Sequence, residues 1–230
     1  MADKVFLITG ASSGIGAATA RAASRRGFRV VLAARRRQKL DQLAEELGGS
    51  ERALAVQCDV TQWNEQQEMI GCTLDRFGQI DVILANAGIY RSGGGFVEGN
   101  PDHWKEMILT NVYGAGLTLR AGLVALKRTK GHILLLGSAA GRRPIAGSMY
   151  GATKWAVTAM GQNLREELRG TGIRVTLVEP GVTNTELFSQ ARPNAMEVED
   201  VANAILFAVE QHPRVDMHEI LMYPTPEQES

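Results

Sequence analysis

A chain of 230 residues, 44% of them hydrophobic, has the apolar material for one large core, and its 25 basic residues balance 25 acidic ones. That balance argues against broad electrostatic binding of nucleic acid or of an anionic membrane surface. The two cysteines, Cys58 and Cys72, stand in no metal-ligand spacing and give no disulfide framework; both read as reduced, buried hydrophobes.

The N-terminal MADKVFLITG enters a strand-like run at once, without a signal-peptide pattern. No transmembrane stretch is read along the chain, and a cytoplasmic protein is expected. Strands are predicted at 4–9, 29–34, 52–58, 80–86, 131–138, 173–180 and 218–223. Helices are predicted at 14–26, 36–47, 62–76, 101–128, 149–169 and 198–211, with Pro101 in the first turn of the longest. The strands are short and apolar throughout rather than alternating, the pattern of a parallel sheet covered on both faces. The expectation is a doubly wound α/β fold of Rossmann type with a seven-stranded parallel sheet, residues 1–230 forming one domain. Ligands in such a fold bind outside the carboxyl ends of the strands.

TGASSGIG (9–16) follows the first strand. Gly10, Gly14 and Gly16 allow a tight turn and a close backbone approach, with the helix N-terminus facing a pyrophosphate. Ser12 and Ser13 add donors, and Ile15 completes the turn. The second strand ends in Ala34 and then Arg35, Arg36 and Arg37, cations of the wrong sign for a helix N-terminus. A bound anion would relieve that conflict. The natural candidate is the 2′-phosphate of NADP(H), with Arg35 as its main ligand and Arg36 assisting; a solvated arginine run is the plain alternative. Asp59, beside Val60, is placed either to accept from an adenine amino group or to close a turn. Asn86, Ala87 and Gly88, in ANAG after the fourth strand, give a small turn that passes close to a ribose.

In YGATK, Tyr150 precedes Lys154 by four residues, which puts both side chains over one cleft. The pair is either an acid–base device or a half-buried tyrosine satisfied by backbone. Lowering the phenol by two to three pH units takes roughly 3–4 kcal/mol, which a nearby ammonium and an oxidised nicotinamide together would supply.

Taken together, TGASSGIG, NAG (86–88), Asn111 in LTNVYG, Ser138 in GSAAG, Tyr150 and Lys154 in YGATK, and PGVTNT (180–185) resemble the short-chain dehydrogenase/reductase family, from about residue 4 to 223. The resemblance implies an NADP-dependent oxidoreductase acting on CH–OH groups. Tyr150 would be the general acid or base, Ser138 the hydrogen bond to the reacting oxygen, and Lys154 a second contact to the cofactor alongside Tyr150. Asn111 would help hold a water that links Lys154 to solvent. Pro180, Gly181, Thr183 and Thr185 would flank the nicotinamide.

The C-terminal half is similar to the branch holding 3-hydroxy acid and serine dehydrogenases and clavulanate dehydrogenase, which implies a small polar substrate. Residues 186–200 (ELFSQARPNAMEVED) would form a short lid or leave an open pocket. Arg142, Arg143 and Arg192 stand near the mouth, as carboxylate ligands or as surface cations. Two alternatives stay open: a 3-oxoacyl carrier-protein reductase greeting its carrier with Lys127, Arg128 and Lys130, and an NADPH-sensing regulator without activity. An apolar outer face including Trp155, Val157 and Met160 suggests a subunit contact, and the resemblance implies a homotetramer or homodimer. No metal is expected.

Overall fold

Strand β1 (Val5–Thr9) is buried at every residue, and its alternation sorts the interior into two layers. Phe6 and Ile8 belong to one core cluster, Val5 and Leu7 to the other. The protein is described by a computed structural model covering residues 3–91, 93–186 and 192–225.

Helices α1 (Gly14–Arg25), α2 (Arg37–Glu46) and α8 (Val198–Glu210) bring Ala20, Leu40 and Ile205 to the first cluster. The second is covered by α3 (Trp63–Phe77), α6 (Ala115–Thr129) and α7 (Met149–Glu167), through Met69, Leu126 and Val157. Between the layers run β1, β2 (Arg29–Ala34), β3 (Ala53–Gln57), β4 (Val82–Ala85), β5 (His132–Leu136), β6 (Arg174–Pro180) and β7 (Glu219–Met222). They form one seven-stranded sheet in the order β3-β2-β1-β4-β5-β6-β7, every pairing parallel. The strand order reverses between β1 and β4, and the crevice at that switch point is where the doubly wound architecture seats ligands.

The expected fold is present, with element ends shifted by no more than two residues, apart from two departures. A short helix, α4 (Gly95–Glu98), precedes α5 (Pro101–Ile108). The single long helix expected over 101–128 is instead α5 and α6 joined by a π-helical turn at Leu109–Gly114. A π-turn widens the helix and redirects its side chains, and such turns gather at functional sites. Here Gly114 lies so close to Val60 that a Cβ would sit 2.7 Å from Val60 Cγ2. Buried Gln66 binds this turn to α3: its Nε2 donates to Val60 O (2.9 Å), Gly114 O (3.2 Å) and Thr118 Oγ1 (2.9 Å).

By length and composition alone the run Pro101–Thr129 is apolar enough to cross a membrane. Its Leu119, Ala125 and Leu126 are packed into the second core cluster.

Candidate active site

The carboxyl ends of β1 to β6 open into one cavity of about 570 Å³. The glycine turn forms one wall. Gly10, with φ of +67°, approaches the β4 turn so closely that a Cβ would lie 2.7 Å from Asn86 Nδ2. Gly14, at φ +54°, has only Thr185 near its would-be Cβ, at 3.8 Å, which leaves its backbone open to an incoming group. Ser12, Ser13 and Ile15 also line the cavity. Gly16 does not. Its would-be Cβ falls 2.5 Å from Gly10 O, so this glycine serves the packing of turn against helix rather than contact with a ligand.

Arg35 and Arg36 face the cavity from the end of β2, and the Arg35 side chain forms no ion pair among the described residues. Arg36 is engaged: its Nε donates to Ser12 Oγ (3.0 Å), and its other nitrogens reach Ser13 Oγ and Glu186. Arg37 turns away to pair with Asp41 on its own helix. This donor set fits an anion, since a carboxylate already sits on it.

Asp59 and Val60 line the cavity at the end of β3. Asp59 Oδ1 accepts from Thr61 N (3.0 Å) and Thr61 Oγ1 (2.8 Å), and its N–H donates to Glu65. Asp59 closes a turn, as one of its two readings expects, and it also lines the cavity.

Asn86, Ala87 and Gly88 line the next stretch, with Asn86 Nδ2 donating to Thr9 O at 2.7 Å. Asn111 is buried outside the cavity wall. Its Oδ1 accepts from Ile89 N (2.8 Å), and its Nδ2 donates to Ile89 O (3.0 Å) and Thr153 Oγ1 (3.1 Å). The side chain of Asn111 thus clamps the 86–89 turn against α7.

Ser138, Tyr150 and Lys154 meet on the opposite wall. Ser148 caps α7, its Oγ accepting from Gly151 N at 2.9 Å, so Tyr150 falls in the first turn and Lys154 one turn later. Lys154 is 5% exposed; its Nζ donates to Leu136 O at 2.8 Å and lies 5.7 Å from the centre of the Tyr150 ring. Burial lowers its ammonium to about 8. Burial likewise pushes the Tyr150 phenol up to about 12, against a hydrogen bond with Ser138 that pulls it down and Tyr90 that raises it further. The expected lowering by Lys154 is therefore not seen in the protein alone: desolvation of the phenolate dominates, and the opposing pull comes from Ser138.

Pro180, Gly181, Thr183 and Thr185 complete the wall after β6. Thr183 Oγ1 donates to Gly181 O at 3.2 Å. The two flanks of the expected lid are joined: Asn184 Nδ2 donates to Arg192 O and its Oδ1 accepts from Arg192 N. Residues 187–191 of that lid lie outside the described residues. Arg143 and Arg192 line the cavity. Arg142 does not; it pairs with Glu219 at 2.8 Å and lies 3.6 Å from buried Glu179.

Sequence reasoning missed Tyr90, whose ring meets that of Tyr150 edge to face at 5.2 Å, and Glu186. It also missed Ser148, which the N-cap pattern just before the helix at 149 would have revealed.

A sequence model of the short chain dehydrogenase family matches residues 4–196. The chain belongs to the short-chain dehydrogenase family. This short-chain dehydrogenase is 35% identical over 229 residues to an uncharacterized oxidoreductase of Staphylococcus epidermidis, with 96% of the chain and 97% of that relative covered. An alcohol dehydrogenase from the archaeon Thermococcus sibiricus, complexed with 5-hydroxy-NADP, superposes with a TM-score of 0.89 at 32% identity, covering 98% of this chain and 99% of that one. The closed form of a serine dehydrogenase complexed with NADP+ gives a TM-score of 0.89 at 30% identity, covering 95% and 94%.

Proposed function

We propose that this short-chain dehydrogenase is an NADP(H)-dependent oxidoreductase that interconverts a small polar alcohol, of 3-hydroxy acid type, and its carbonyl compound. One observation carries the reading: Ser138, Tyr150 and Lys154 share a single cavity with the glycine turn and with Arg35 and Arg36. The similarity to NADP-bound structures supports the choice of cofactor.

When bound, the cofactor supplies or accepts the hydride. The glycine turn, Ser12 and Ser13 hold its pyrophosphate, Arg35 and Arg36 its 2′-phosphate, and Asp59, Val60 and the 86–88 turn its adenosine. Pro180, Gly181, Thr183 and Thr185 set the plane of its reactive ring. The Ser138 hydroxyl then orients the substrate oxygen, and Tyr150 gives that oxygen its proton. A phenol held near 12 is protonated at neutral pH, the form needed for carbonyl reduction. Alcohol oxidation needs the phenolate, which the Lys154 ammonium favours electrostatically. Asn111 acts as a positioning residue that fixes the 86–89 turn beside Lys154.

Arg143 and Arg192, which line the cavity, are placed to receive a substrate carboxylate; Arg142, outside that lining, is not. Exposed Ile108, Leu109, Tyr113 and Trp155 form an apolar surface suited to a subunit contact in a homotetramer or homodimer. Val157 and Met160, expected on that surface, instead face the core. A monomer by light scattering at micromolar concentration would contradict the assembly.

The decisive experiment follows NADPH and NADH absorbance with a panel of 3-hydroxy acids, amino alcohols, aldehydes and ketones. Turnover of small β-hydroxy or β-keto acids with NADP(H) is expected, and Arg35→Asp should reduce the NADPH/NADH preference in kcat/KM at least tenfold. Turnover confined to acyl thioesters, or a preference untouched by Arg35→Asp, would reject the reading.

A further inference from the structure

Glu186 stands 150 residues from Arg36 in the chain, yet its Oε2 accepts from Arg36 Nη1 at 3.0 Å. Its Oε1 accepts from Lys39 Nζ at 3.2 Å. The same guanidinium donates to both serines of the glycine turn. A single carboxylate therefore bridges Arg36 and Lys39 at the start of α2, on the guanidinium assigned above to an incoming 2′-phosphate and bonded to the glycine turn. Its position is set from behind. Two residues earlier, Asn184 is fixed by the bonds to Arg192 and by a 2.7 Å bond from its Nδ2 to Glu197, and the backbone pairs through Asn184 N to Met196 O at 2.8 Å. The two cations hold the Glu186 carboxyl below the usual range for a glutamate, Arg36 contributing most. The carboxylate is thus ionised at neutral pH and carries the charge of a competing anion.

We propose that Glu186 is a specificity-determining residue, an internal anion that competes with the cofactor's 2′-phosphate for Arg36 and Lys39. This rests on the NADP(H) reading given above. A 2′-phosphate that engages Arg36 competes with the charge of Glu186 already paired there, whereas a 2′-hydroxyl makes no such demand. The residue therefore weakens NADP(H) selectively and narrows the gap between the two dinucleotides that the arginines alone would set. Both ion pairs are about half exposed, with side-chain exposures of 46% and 47% for the cations and 56% for Glu186. Exposed pairs are individually weak, so the expected effect is roughly three- to tenfold rather than a hundredfold.

The test is equilibrium binding, by calorimetry or fluorescence, of NADPH, NADH, 2′,5′-ADP and 5′-AMP to the wild type and to Glu186→Gln. The proposal expects NADPH and 2′,5′-ADP to bind about three- to tenfold more tightly to the variant, with NADH and 5′-AMP changing less than about twofold. Unchanged or weaker NADPH binding overturns it, because Glu186 would then be idle or would help hold the cofactor. Equal tightening of all four ligands overturns it as well, since the effect would not involve the 2′-phosphate. If the wild type binds NADPH no better than NADH, the cofactor reading falls and this proposal with it. A wild type that prefers NADPH, together with a flat Glu186→Gln, overturns this proposal alone.

Discussion

Tyr150 and Lys154 were drawn together by a four-residue spacing on one helix, but their proton affinities come from burial. The 5% exposure of Lys154 and the desolvation of the partly buried Tyr150 beside Tyr90 both disfavour charge. One group is driven down to about 8 and the other up to about 12. The proposed acid–base step therefore starts from a neutral phenol beside an ammonium that titrates just above neutrality. Tyr150→Phe keeps the ring and its edge-to-face contact and removes the hydroxyl, and with it the proton donor and the bond to Ser138. It should lower kcat for carbonyl reduction by at least about 10²-fold while leaving the NADPH dissociation constant within about twofold. Lys154→Met tests the ammonium. In the wild type, rising pH favours the phenolate but discharges Lys154 on passing about 8, so the alcohol-oxidation profile should break near that pH. The variant should show no such break and a lower plateau. A break unchanged in Lys154→Met would remove Lys154 from the proton chemistry.

Legibility differs sharply among the elements. The glycine turn, the strands and the Tyr150–Lys154 helix were readable because each is fixed by neighbours within a few residues: glycine conformation, apolar runs and helical spacing. The π-turn at Leu109–Gly114 was not. Its cause is tertiary, the approach of Gly114 to Val60 and the three bonds made by Gln66, and a helical period fits LTNVYG equally well. Glu186 and Tyr90 were hidden for the same reason, since each acts on a residue far away in sequence. Asn111 was found by its motif, but its partners were not; the π-turn carries it to Ile89 and Thr153. Asn111→Ala leaves the part-buried N–H and carbonyl of Ile89 without this partner. It should destabilise the fold by about 2–3 kcal/mol, read as a lower denaturant midpoint at unchanged m value. Because the 86–89 turn loosens, the NADPH dissociation constant should rise several-fold. A variant as stable as the wild type would show that the clamp is dispensable.

Across the whole molecule the sheet separates two kinds of buried polar chemistry. The carboxyl ends of the strands carry the candidate site; at the opposite end His132 opens β5, paired in register with Val82 and Arg174 and 1% exposed. The Thr176 hydroxyl donates to Met217 O, so it accepts from His132 Nε2 at 2.8 Å. That fixes the neutral tautomer with its proton on Nε2 and leaves Nδ1 buried with no partner among the described residues. Protonating Nδ1 would bury an unpaired charge near the Arg174 guanidinium, and burial, aided by Arg174, lowers His132 to about 3. In the unfolded chain the same imidazole titrates near 6.5. Between about pH 6.5 and 3 the unfolded state therefore binds the extra proton, and stability falls as pH falls, by up to about 1.4 kcal/mol per pH unit. His132→Leu removes the titration and leaves Thr176 its bond to Met217. From pH 6.5 to 5 the variant should lose about 1.6 kcal/mol less unfolding free energy than the wild type, measured by urea denaturation at each pH. The carboxylates held low by ion pairs, Glu46, Glu166 and Glu186, lose their stabilisation in acid equally in both proteins and cancel in the comparison. Parallel pH curves for the two proteins would show that His132 is not what makes the fold sensitive to acid.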